Sequence, residues 1–541
     1  MATHQATDNS DRNTSGVTLR ALAALTGGTV ADTHQDVTVD SAAIGSADVQ
    51  PGGLFCAVPG SRVHGATFAA DSGAAAVLTD AEGAEILADA DLPLLVVDDV
   101  RRWMGPVAAA VYGHPSRDLR IIGITGTSGK TTTTYLIERA LMAKHNVGII
   151  GTTGTRINGE QIPTKLTTPE APTMQALLAQ MRDRGVTHGV MEVSSHALAL
   201  GRVTGIDFDV AGFTNLSQDH LDFHPTMEDY FETKAQLFLQ AQAEGAELPA
   251  AVVCVDDDWG QRLADMIADS GHQALTVGTT QQSGADWQVT DVHVTPAGRQ
   301  EITVAAEGEE FSYDIGLVGS FNVANSLLAI SCVAQLGEDP QAAAAAIADV
   351  QVPGRMQAVD AGQPFLAVVD YAHKPGAVAA VVRTLSDYLP SPTGRIGIVL
   401  GAGGNRDHDK RPMMGEEAAK IADAVFVTDD NPRDEEPAPI RSMILDGVRK
   451  AAKAREANGE KVFYDDVPGR ADAIRAAVAW ARPGDAIVVA GKGHETGQEV
   501  RGEIHPFSDL EELAAALERR RALTSRHTRS SATNERRRSN D

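Results

Sequence analysis

The chain has 541 residues, of which 43% are hydrophobic and 22% are charged, and its formal net charge is −27 at pH 7. This length exceeds what one hydrophobic core ordinarily supports, so we expect several domains. The composition excludes a fibrous or wholly disordered protein, and the negative charge argues against a broad nucleic-acid-binding surface.

Neither end of the chain indicates export or membrane insertion. The polar residues 1–16 predict a disordered N-terminus without the pattern of a secretory signal. No apolar run reaches the roughly 18 residues that a membrane helix requires. The cysteines Cys56, Cys254 and Cys332 are far apart and form no CxxC motif, which is typical of free thiols in a reducing compartment. We therefore expect a cytoplasmic protein.

Three α/β segments follow one another along the chain. Residues 17–117 alternate short apolar runs such as GLFCAV with Gly-rich turns and predict a small α/β domain. Residues 118–352 alternate strands with helices and predict a doubly wound, largely parallel sheet. Residues 353–517 repeat this alternation with strands that end in Gly- or Asp-rich loops, where α/β sheets bind ligands. The arginine-rich residues 518–541 predict a disordered basic tail.

The run GITGTSGKTTT, Gly123 to Thr133, carries the strongest chemical signal. It follows an apolar strand and opens a helix, which is the context of a phosphate-binding loop. Backbone N–H groups and the helix N-terminus offer an anion site, Lys130 can reach the β- and γ-phosphates, and the Thr131 hydroxyl can ligate Mg²⁺. The predicted ATP-binding residues of this loop are Gly126, Thr127, Ser128, Gly129, Lys130, Thr131 and Thr132.

A phosphate loop by itself is compatible with a GTPase, a kinase, a motor or a ligase. A GTPase needs a guanine-reading NKxD stretch, and the nearest segment, TKAQ at residues 233–236, lacks the aspartate. Further polar clusters follow the loop: VMEVSSHAL contains Glu192, TNLSQDHLDFH contains His220, and YFETKAQLF contains Lys234. Several polar clusters after a phosphate loop within one domain favour a catalytic site.

Six segments occur in an order that resembles the Mur ligases of peptidoglycan synthesis, over residues 17–515. They are TGTSGKTTT, MEVSSHAL, FTNLSQDHLDFH, GSFNVANSLLA, PGRMQ and DYAHKP. Within that family the chain is similar to the MurE branch, which adds the third peptide residue to UDP-N-acetylmuramoyl-L-Ala-D-Glu. The resemblance implies three α/β domains: an N-terminal uridine-nucleotide-binding domain, a central P-loop ATPase-like doubly wound domain and a C-terminal Rossmann-like domain. It also implies a monomer.

The resemblance further implies a mechanism. ATP phosphorylates the D-Glu side-chain carboxylate, and an amine attacks the acyl phosphate to give an amide, ADP and phosphate, assisted by two Mg²⁺ ions. Lys234 matches the carbamylated lysine of the family, and the chemical reason is direct: an ammonium repels Mg²⁺, whereas a carbamate built from CO₂ offers oxygen ligands. The implied catalytic residues are Lys130, Lys234, Glu192 and His220, and the implied metal site comprises Thr131, Glu192, His220 and the carbamylated Lys234.

Other segments match substrate-binding positions of the family. Two positions depart from it, since Ala42 stands where relatives often have arginine and Leu200 where many have glutamine. The remaining implied ATP-binding residues are Asn322, Asn325, Arg355, Asp370, His373 and Lys374. The implied contacts to UDP-N-acetylmuramoyl-L-Ala-D-Glu are Ser41, Thr167, Thr168, Ser194 and Arg202.

The motif DNPR discriminates between candidate amines. Relatives that add meso-2,6-diaminopimelate contain it, whereas lysine-adding relatives usually lack the arginine. Diaminopimelate carries a second carboxylate, which the guanidinium fork of Arg433 can bind in a bidentate manner, and Asp430 and Glu495 can hold the distal ammonium. The implied diaminopimelate-binding residues are Arg406, Asp430, Asn431, Pro432, Arg433, Gly491 and Glu495.

Three alternatives stay open at this point. A lysine-adding MurE ligase and a folylpolyglutamate synthetase-like ligase share the amide-forming chemistry. A nucleotide-binding regulator that does not ligate belongs to a different functional class.

Overall fold

The computed structural model describes residues 16–538 except 61, 163, 165, 222, 281–282, 296–298, 390–392 and 406, and from residue 524 onward it describes the backbone alone. The chain divides into two compact units. The first comprises Met1–Val289, Ala305–Glu309 and Ala324–Ile347, and the second comprises Thr290–Val304, Glu310–Val323 and Ala348–Asp541. The predicted first domain lies in the first unit, which also contains most of the predicted central domain, while residues 290–304, 310–323 and 348–352 belong to the second unit.

The first unit begins with a small parallel sheet. Its strands alternate with helices whose N-termini are capped by the side chains of Thr18, Asp80 and Asp99. The order of the four-stranded sheet is β3-β4-β5-β6, while β1 pairs with β2. The elements are β1 (Val17–Thr18), α1 (Leu19–Thr26), β2 (Thr38–Val39), β3 (Ser41–Ala43), β4 (Gly53–Cys56), β5 (Ala76–Thr79), α2 (Ala81–Ile86), β6 (Leu94–Val96) and α3 (Val100–Val111).

A larger sheet follows and confirms the predicted doubly wound arrangement. Its order begins β10-β9-β8-β11-β7-β12-β13-β14-β15, and the six strands from β8 to β14 in this order pair in parallel. The elements are β7 (Arg120–Thr125), α4 (Lys130–Met142), β8 (Val147–Gly151), β9 (Gly154–Ile157), β10 (Glu160–Ile162), α5 (Ala171–Asp183), β11 (His188–Glu192), α6 (Ser195–Ala199), β12 (Val210–Phe213), α7 (Met227–Leu239), β13 (Ala250–Cys254), α8 (Asp258–Asp269), β14 (Ala274–Gly278) and β15 (Trp287–Val294).

The chain passes between the two units within the next few elements. These elements are β16 (Gln300–Ala306), β17 (Glu309–Ile315), α9 (Phe321–Ala334) and α10 (Pro340–Ile347). Helix α10 corresponds to the Ala-rich segment at the end of the predicted central domain.

The second unit contains a sheet of order β18-β19-β23-β20-β21-β22, in which every pair except β18–β19 is parallel. Successive side chains of its strands enter different cores, because Val368 packs in one cluster and Val369 in the other. The elements are β18 (Gln357–Ala358), β19 (Leu366–Asp370), α11 (Pro375–Asp387), β20 (Ile396–Leu400), α12 (Lys410–Ile421), β21 (Ala424–Val427), α13 (Pro437–Glu456), β22 (Phe463–Asp466), α14 (Arg470–Trp480), β23 (Ala486–Ala490), β24 (Gly497–Val500), β25 (Glu503–Pro506) and α15 (Asp509–Arg538).

The predicted start of a disordered tail at residue 518 is corrected by the final helix. Helix α15 continues to Arg538, and Leu513 and Leu517 are buried in the core of the second unit. Beyond them, Arg520 donates to the Ala481 carbonyl at 2.6 Å. The charged composition predicted disorder, but arginine, alanine and glutamate also favour a helix once its first turns are packed. Among the described helices, none is long and apolar enough to cross a membrane.

Candidate active-site residues in each unit

The phosphate loop of the first unit connects β7 to α4 and depends on two glycines with positive φ. Gly126 has a φ of 139° and Gly129 a φ of 89°. A Cβ on Gly126 would lie 1.9 Å from Thr214 Oγ1, and a Cβ on Gly129 would lie 2.3 Å from Asn325 Oδ1. Glycine is therefore favoured at both positions, because a side chain would need displacement of its neighbours. The same contact places the predicted ATP-binding residue Asn325 beside the loop.

The segment after β12 fixes the shape of this loop. Asn215 accepts a hydrogen bond from the Ser128 backbone N–H at 3.1 Å and donates to the Ser128 carbonyl at 3.1 Å. The Thr214 hydroxyl donates to that carbonyl at 2.7 Å, and the Thr127 N–H donates to the Asn215 carbonyl at 2.9 Å. Thr214 and Asn215 were not among the predicted site residues, although both stand in the TNLSQDH segment.

Two lysines converge on one carbonyl of the loop. Lys130 Nζ donates to the carbonyls of Gly126 and Thr127 at 2.8 and 2.9 Å, and Lys234 Nζ donates to the Gly126 carbonyl at 2.8 Å. Burial lowers the pKa of Lys234 well below its usual range, and the charge of Lys130 lowers it further, against an opposing effect of Asp219. The surroundings of Lys234 therefore favour the neutral amine.

Thr131 and Glu192 form the second part of the predicted metal site. The Thr131 hydroxyl donates to Glu192 Oε1 at 3.0 Å, and the N–H and hydroxyl of Thr152 donate to the two carboxylate oxygens at 2.8 and 3.0 Å. Glu192 is 1% exposed, and no described lysine, arginine or histidine forms an ion pair with it. A buried carboxylate next to a hydroxyl and without a cationic partner suits a hard cation.

Lys234 and His220 both lie close to the ring of Tyr230. Lys234 Nζ is 4.6 Å from the Tyr230 ring centroid, and the His220 ring centroid is 6.2 Å from it. The Tyr230 hydroxyl is 3.3 Å from the Thr127 hydroxyl of the phosphate loop. The predicted metal ligands thus form two subsets around the loop. Within the described residues, no three His, Cys, Asp or Glu side chains form a metal-binding group by themselves.

Thr168, Ser194 and Arg202 form one connected group at the carboxyl end of β11. The Thr168 hydroxyl donates to the Glu192 carbonyl at 2.8 Å and accepts from the Ser194 N–H at 3.4 Å. Arg202 donates to the Thr168 carbonyl at 3.3 Å and pairs with Glu170 at 2.7 Å. Its buried Nε donates to no described residue.

The other two predicted substrate residues are in different surroundings. The Thr167 hydroxyl is 3.4 Å from that of Thr152, which binds Glu192. Ser41 lies on β3 with its hydroxyl 3.2 Å from Asp40 Oδ1, and it lines a cavity of about 200 Å³ together with Tyr112.

In the second unit, Arg433 lies in the loop after β21 and has a φ of 52°. Its Nε donates to Glu499 Oε2 at 3.0 Å and its Nη1 donates to the Gly404 carbonyl at 2.8 Å. Its Nη2 donates to none of the residues that the structure describes. Arg406, the other predicted arginine of this site, lies outside the described residues.

Asn431 connects this loop to the GKGHE segment. It donates to Glu495 Oε2 at 2.9 Å and accepts from Lys492 Nζ at 2.7 Å, and Lys492 also pairs with Glu495 at 3.1 Å. Lys492 is fully buried. The structure therefore brings the predicted Asn431 and Glu495 together through a lysine that the sequence argument missed, although it stands inside the motif.

The remaining residues near Arg433 lie close to glycines of neighbouring loops. A Cβ on Gly491 would lie 2.6 Å from Asp430 Oδ2, and a Cβ on Gly404 would lie 1.9 Å from the Pro432 carbonyl oxygen. Asp430 is buried, with Oδ2 3.7 Å from an Nη of Arg470. All these residues follow the carboxyl ends of β20, β21 and β23, where ligands bind in open α/β sheets.

Asp370 is the last residue of β19 in the same unit, and Arg355 precedes β18. Asp370 accepts from the backbone N–H groups of Met356 and Ala372 at 2.8 Å each. Burial raises the pKa of Asp370, while the charge of Arg355 opposes the shift. The Arg355 guanidinium lies 4.8 Å from the Tyr371 ring centroid, and its buried Nε has no described acceptor.

The last three predicted nucleotide contacts are also in described parts of the chain. Burial lowers the pKa of His373, whose Nδ1 is 2.9 Å from the Tyr371 carbonyl oxygen. Lys374 stands at the N-cap of α11. Asn322 is buried and donates to the Val318 carbonyl at 2.8 Å.

Comparison with known proteins identifies the family. The Mur ligase family catalytic domain matches residues 38–112, the Mur ligase middle domain matches residues 124–333, and the Mur ligase glutamate ligase domain matches residues 354–493. The chain therefore belongs to the Mur ligase family, as its six motifs predicted.

Individual relatives narrow the comparison. The UDP-N-acetylmuramoyl-L-alanyl-D-glutamate--2,6-diaminopimelate ligase of Corynebacterium glutamicum is 54% identical over 488 residues, which cover 89% of this chain and 91% of that protein. The enzyme of the same name from Streptomyces avermitilis is 48% identical over 507 residues, covering 93% and 97%. A solved structure of a ligase of this name is 31% identical, with a TM-score of 0.67 and coverage of 94% of this chain and 99% of that one.

Proposed function

We propose that this chain is an ATP-dependent ligase that joins meso-2,6-diaminopimelate to the D-Glu side-chain carboxylate of UDP-N-acetylmuramoyl-L-Ala-D-Glu. Arg433 selects the amine, because its guanidinium lies at the carboxyl edge of the second sheet. Its Nη2 has no acceptor among the described residues. The names of the relatives support the same substrates.

The phosphate loop supports the use of ATP. Its helix N-terminus and glycine-rich backbone favour an anion, and Lys130 is held next to them by two carbonyl oxygens. These hydrogen bonds can be exchanged for bonds to phosphate oxygens without a change of backbone. ATP supplies the phosphoryl group that turns an unreactive carboxylate into an acyl phosphate, and the protein contributes positioning and charge neutralisation.

Thr131 and Glu192 fit a Mg²⁺ ion, since they join a hydroxyl to a buried carboxylate that lacks a described cationic partner. The ion would neutralise phosphate charge when bound. Lys234 fits a carbamate, because CO₂ reacts with a neutral amine and burial lowers the pKa of this lysine. Carbamylation would replace an ammonium that repels a cation by oxygens that bind one.

The second unit supports recognition of an amino acid with two charged ends. Arg433 would bind the distal carboxylate of diaminopimelate, while Asp430 and Glu495 would hold the distal ammonium. Lysine lacks that carboxylate and would leave the guanidinium without an ionic partner, which penalises its binding.

Purified protein tests the proposal by ATP-dependent phosphate release and amide formation with the UDP-dipeptide and different amines. Turnover is expected with meso-diaminopimelate and not with L-lysine. Preference for lysine would contradict the choice of amine, and glutamate addition to a folate without use of the UDP-dipeptide would favour the folylpolyglutamate alternative. Nucleotide binding without amide formation, whichever amine is offered, would favour a regulator.

Cytoplasmic location belongs to the same proposal. The three cysteines, Cys56, Cys254 and Cys332, are free and buried, as the sequence predicted, and free thiols are typical of a reducing compartment.

A further inference from the structure

The hairpin of β24 and β25 follows the GKGHE segment and binds the backbone of Arg433. The Arg433 N–H donates to the Glu499 carbonyl at 3.0 Å, and the Arg501 N–H donates to the Arg433 carbonyl at 2.7 Å. Arg433 thereby forms an isolated parallel bridge with Val500. Arg433 has a positive φ, which a residue with a side chain rarely adopts without support from its surroundings. The hairpin provides that support.

The hairpin also binds the residues that precede Arg433. The Glu499 N–H donates to Asn431 Oδ1 at 3.0 Å, and the Gln498 side chain donates to the Asp430 carbonyl at 2.6 Å. Three positions of DNPR are therefore tied to consecutive residues of one strand. These ties join segments that are 66 to 68 residues apart in the sequence.

The side chain of Glu499 continues this contact to the guanidinium. Its Oε2 accepts from Arg433 Nε at 3.0 Å, while the Gly404 carbonyl accepts from Nη1 at 2.8 Å. Bonds at two nitrogens fix the plane of the guanidinium and leave Nη2 as the group without a described acceptor. A free arginine side chain would lose considerable rotamer entropy on binding a carboxylate, and this loss is smaller when the side chain is already oriented.

We infer that Glu499 is a positioning residue, which orients the Arg433 guanidinium for the distal carboxylate of the amino-acid substrate. The β24–β25 hairpin then takes part in substrate selection through Arg433. This inference rests on the proposed function and goes beyond it, because Glu499 lies outside both the DNPR and GKGHE motifs. Glu495, four residues earlier, pairs with Lys492 and not with Arg433.

Steady-state kinetics of Glu499→Ala test the inference, with Glu503→Ala as the matched control. Glu503 belongs to the same hairpin, and its side chain is 81% exposed. We expect Glu499→Ala to raise the KM for diaminopimelate about 10-fold, with the KM for ATP and for the UDP-dipeptide changed less than about 2-fold. Glu499→Gln should recover most of the loss, because its amide oxygen can accept from Arg433 Nε, and Glu503→Ala should behave as wild type.

A double-mutant cycle separates positioning from direct binding. If Glu499 acts through Arg433, Glu499→Ala should add no further change in the Arg433→Ala background. An equal added loss in that background would show direct contact with the substrate and overturn the inference. A parallel rise of all three KM values, or no rise at all, would overturn it as well. Wild-type protein that fails to use diaminopimelate contradicts the proposed function instead, so the two failures are distinguishable.

Discussion

The phosphate loop of the first unit and the group of Arg433, Gly404 and Glu499 in the second unit both suit an anion, but they are built differently. The loop offers backbone N–H groups between two positive-φ glycines, and its main elements lie within one short motif. The second group offers the Arg433 guanidinium held by Gly404 and Glu499, which are 29 and 66 residues away in the sequence. Backbone N–H groups can donate to any phosphate, whereas a guanidinium held in one plane selects a carboxylate at one position.

The two sites also differ in the burial and ion pairing of their basic side chains. Lys234 is 1% exposed, and burial lowers its pKa, so its charge is disfavoured. The Arg433 side chain is 24% exposed and pairs with the Glu499 carboxylate. A lysine therefore suits the proposed carbamate site, and an arginine suits the proposed carboxylate-binding site.

Replacing Lys130 should cause the largest loss of activity, and this loss should arise at the phosphate loop alone. Lys130→Ala removes the ammonium expected to neutralise phosphate charge in the transition state, and we expect kcat to fall on the order of 10³-fold. Phosphate release with saturating substrates measures this. A loss that appears only in the KM for diaminopimelate would contradict the division of roles between the two sites.

Replacing Lys234 should reduce turnover nearly as much, but added carboxylic acids should restore part of it. Lys234→Ala removes the carbamate precursor, and we expect turnover to fall on the order of 10²-fold. Added short carboxylic acids should restore part of the activity, because the space left by the side chain can take a free carboxylate. Unchanged turnover in this variant would rule out a carbamate role. Lys420→Ala, at an exposed ion pair of the second unit, serves as the control.

Replacing Arg433 should act on one substrate alone. Arg433→Ala removes the partner of the distal carboxylate and should raise the KM for diaminopimelate 10- to 100-fold, as expected for a lost charge-assisted interaction of about 1.5–3 kcal/mol. The KM for ATP should stay within about 2-fold of wild type. Equal changes for both substrates would indicate a structural role. Arg449→Ala, at an exposed ion pair, provides the comparison.

Replacing one glycine in each site should cause smaller changes, each in the KM of a different substrate. A Cβ at Gly126 or at Gly404 would come within 1.9 Å of a neighbouring oxygen, from Thr214 in one case and Pro432 in the other. Gly126→Ala should raise the KM for ATP, and Gly404→Ala should raise the KM for diaminopimelate, each by up to about 10-fold through local displacement. Thermal unfolding of both variants checks that the protein still folds. Effects on the same substrate in both variants would contradict the comparison.

Local sequence was sufficient for much of the fold. Strands β7, β11, β12 and β13 of the first unit and β19, β20, β21 and β23 of the second lie on apolar runs that predict strands, because parallel strands buried on both faces need continuous apolar residues. In chain order these runs are RIIGI, HGVMEV, FDVAGFT, AAVVCV, FLAVVDYA, RIGIVLGAG, DAVFVTDD and DAIVVAGKG. The start of the tail was misjudged because arginine content signals charge but does not report the burial of Leu513 and Leu517.

Contiguous motifs in the sequence were enough to identify the family and the phosphate loop, and they predict Arg433 as the residue that discriminates between amines. Only the tertiary structure showed that Lys130 and Lys234 share the Gly126 carbonyl, and that Glu499 holds Arg433 in place. These contacts join residues far apart along the chain, and their geometry depends on the order in which the strands pair. No local pattern carries that information, because burial and hydrogen-bond partners arise only when the sheets have formed.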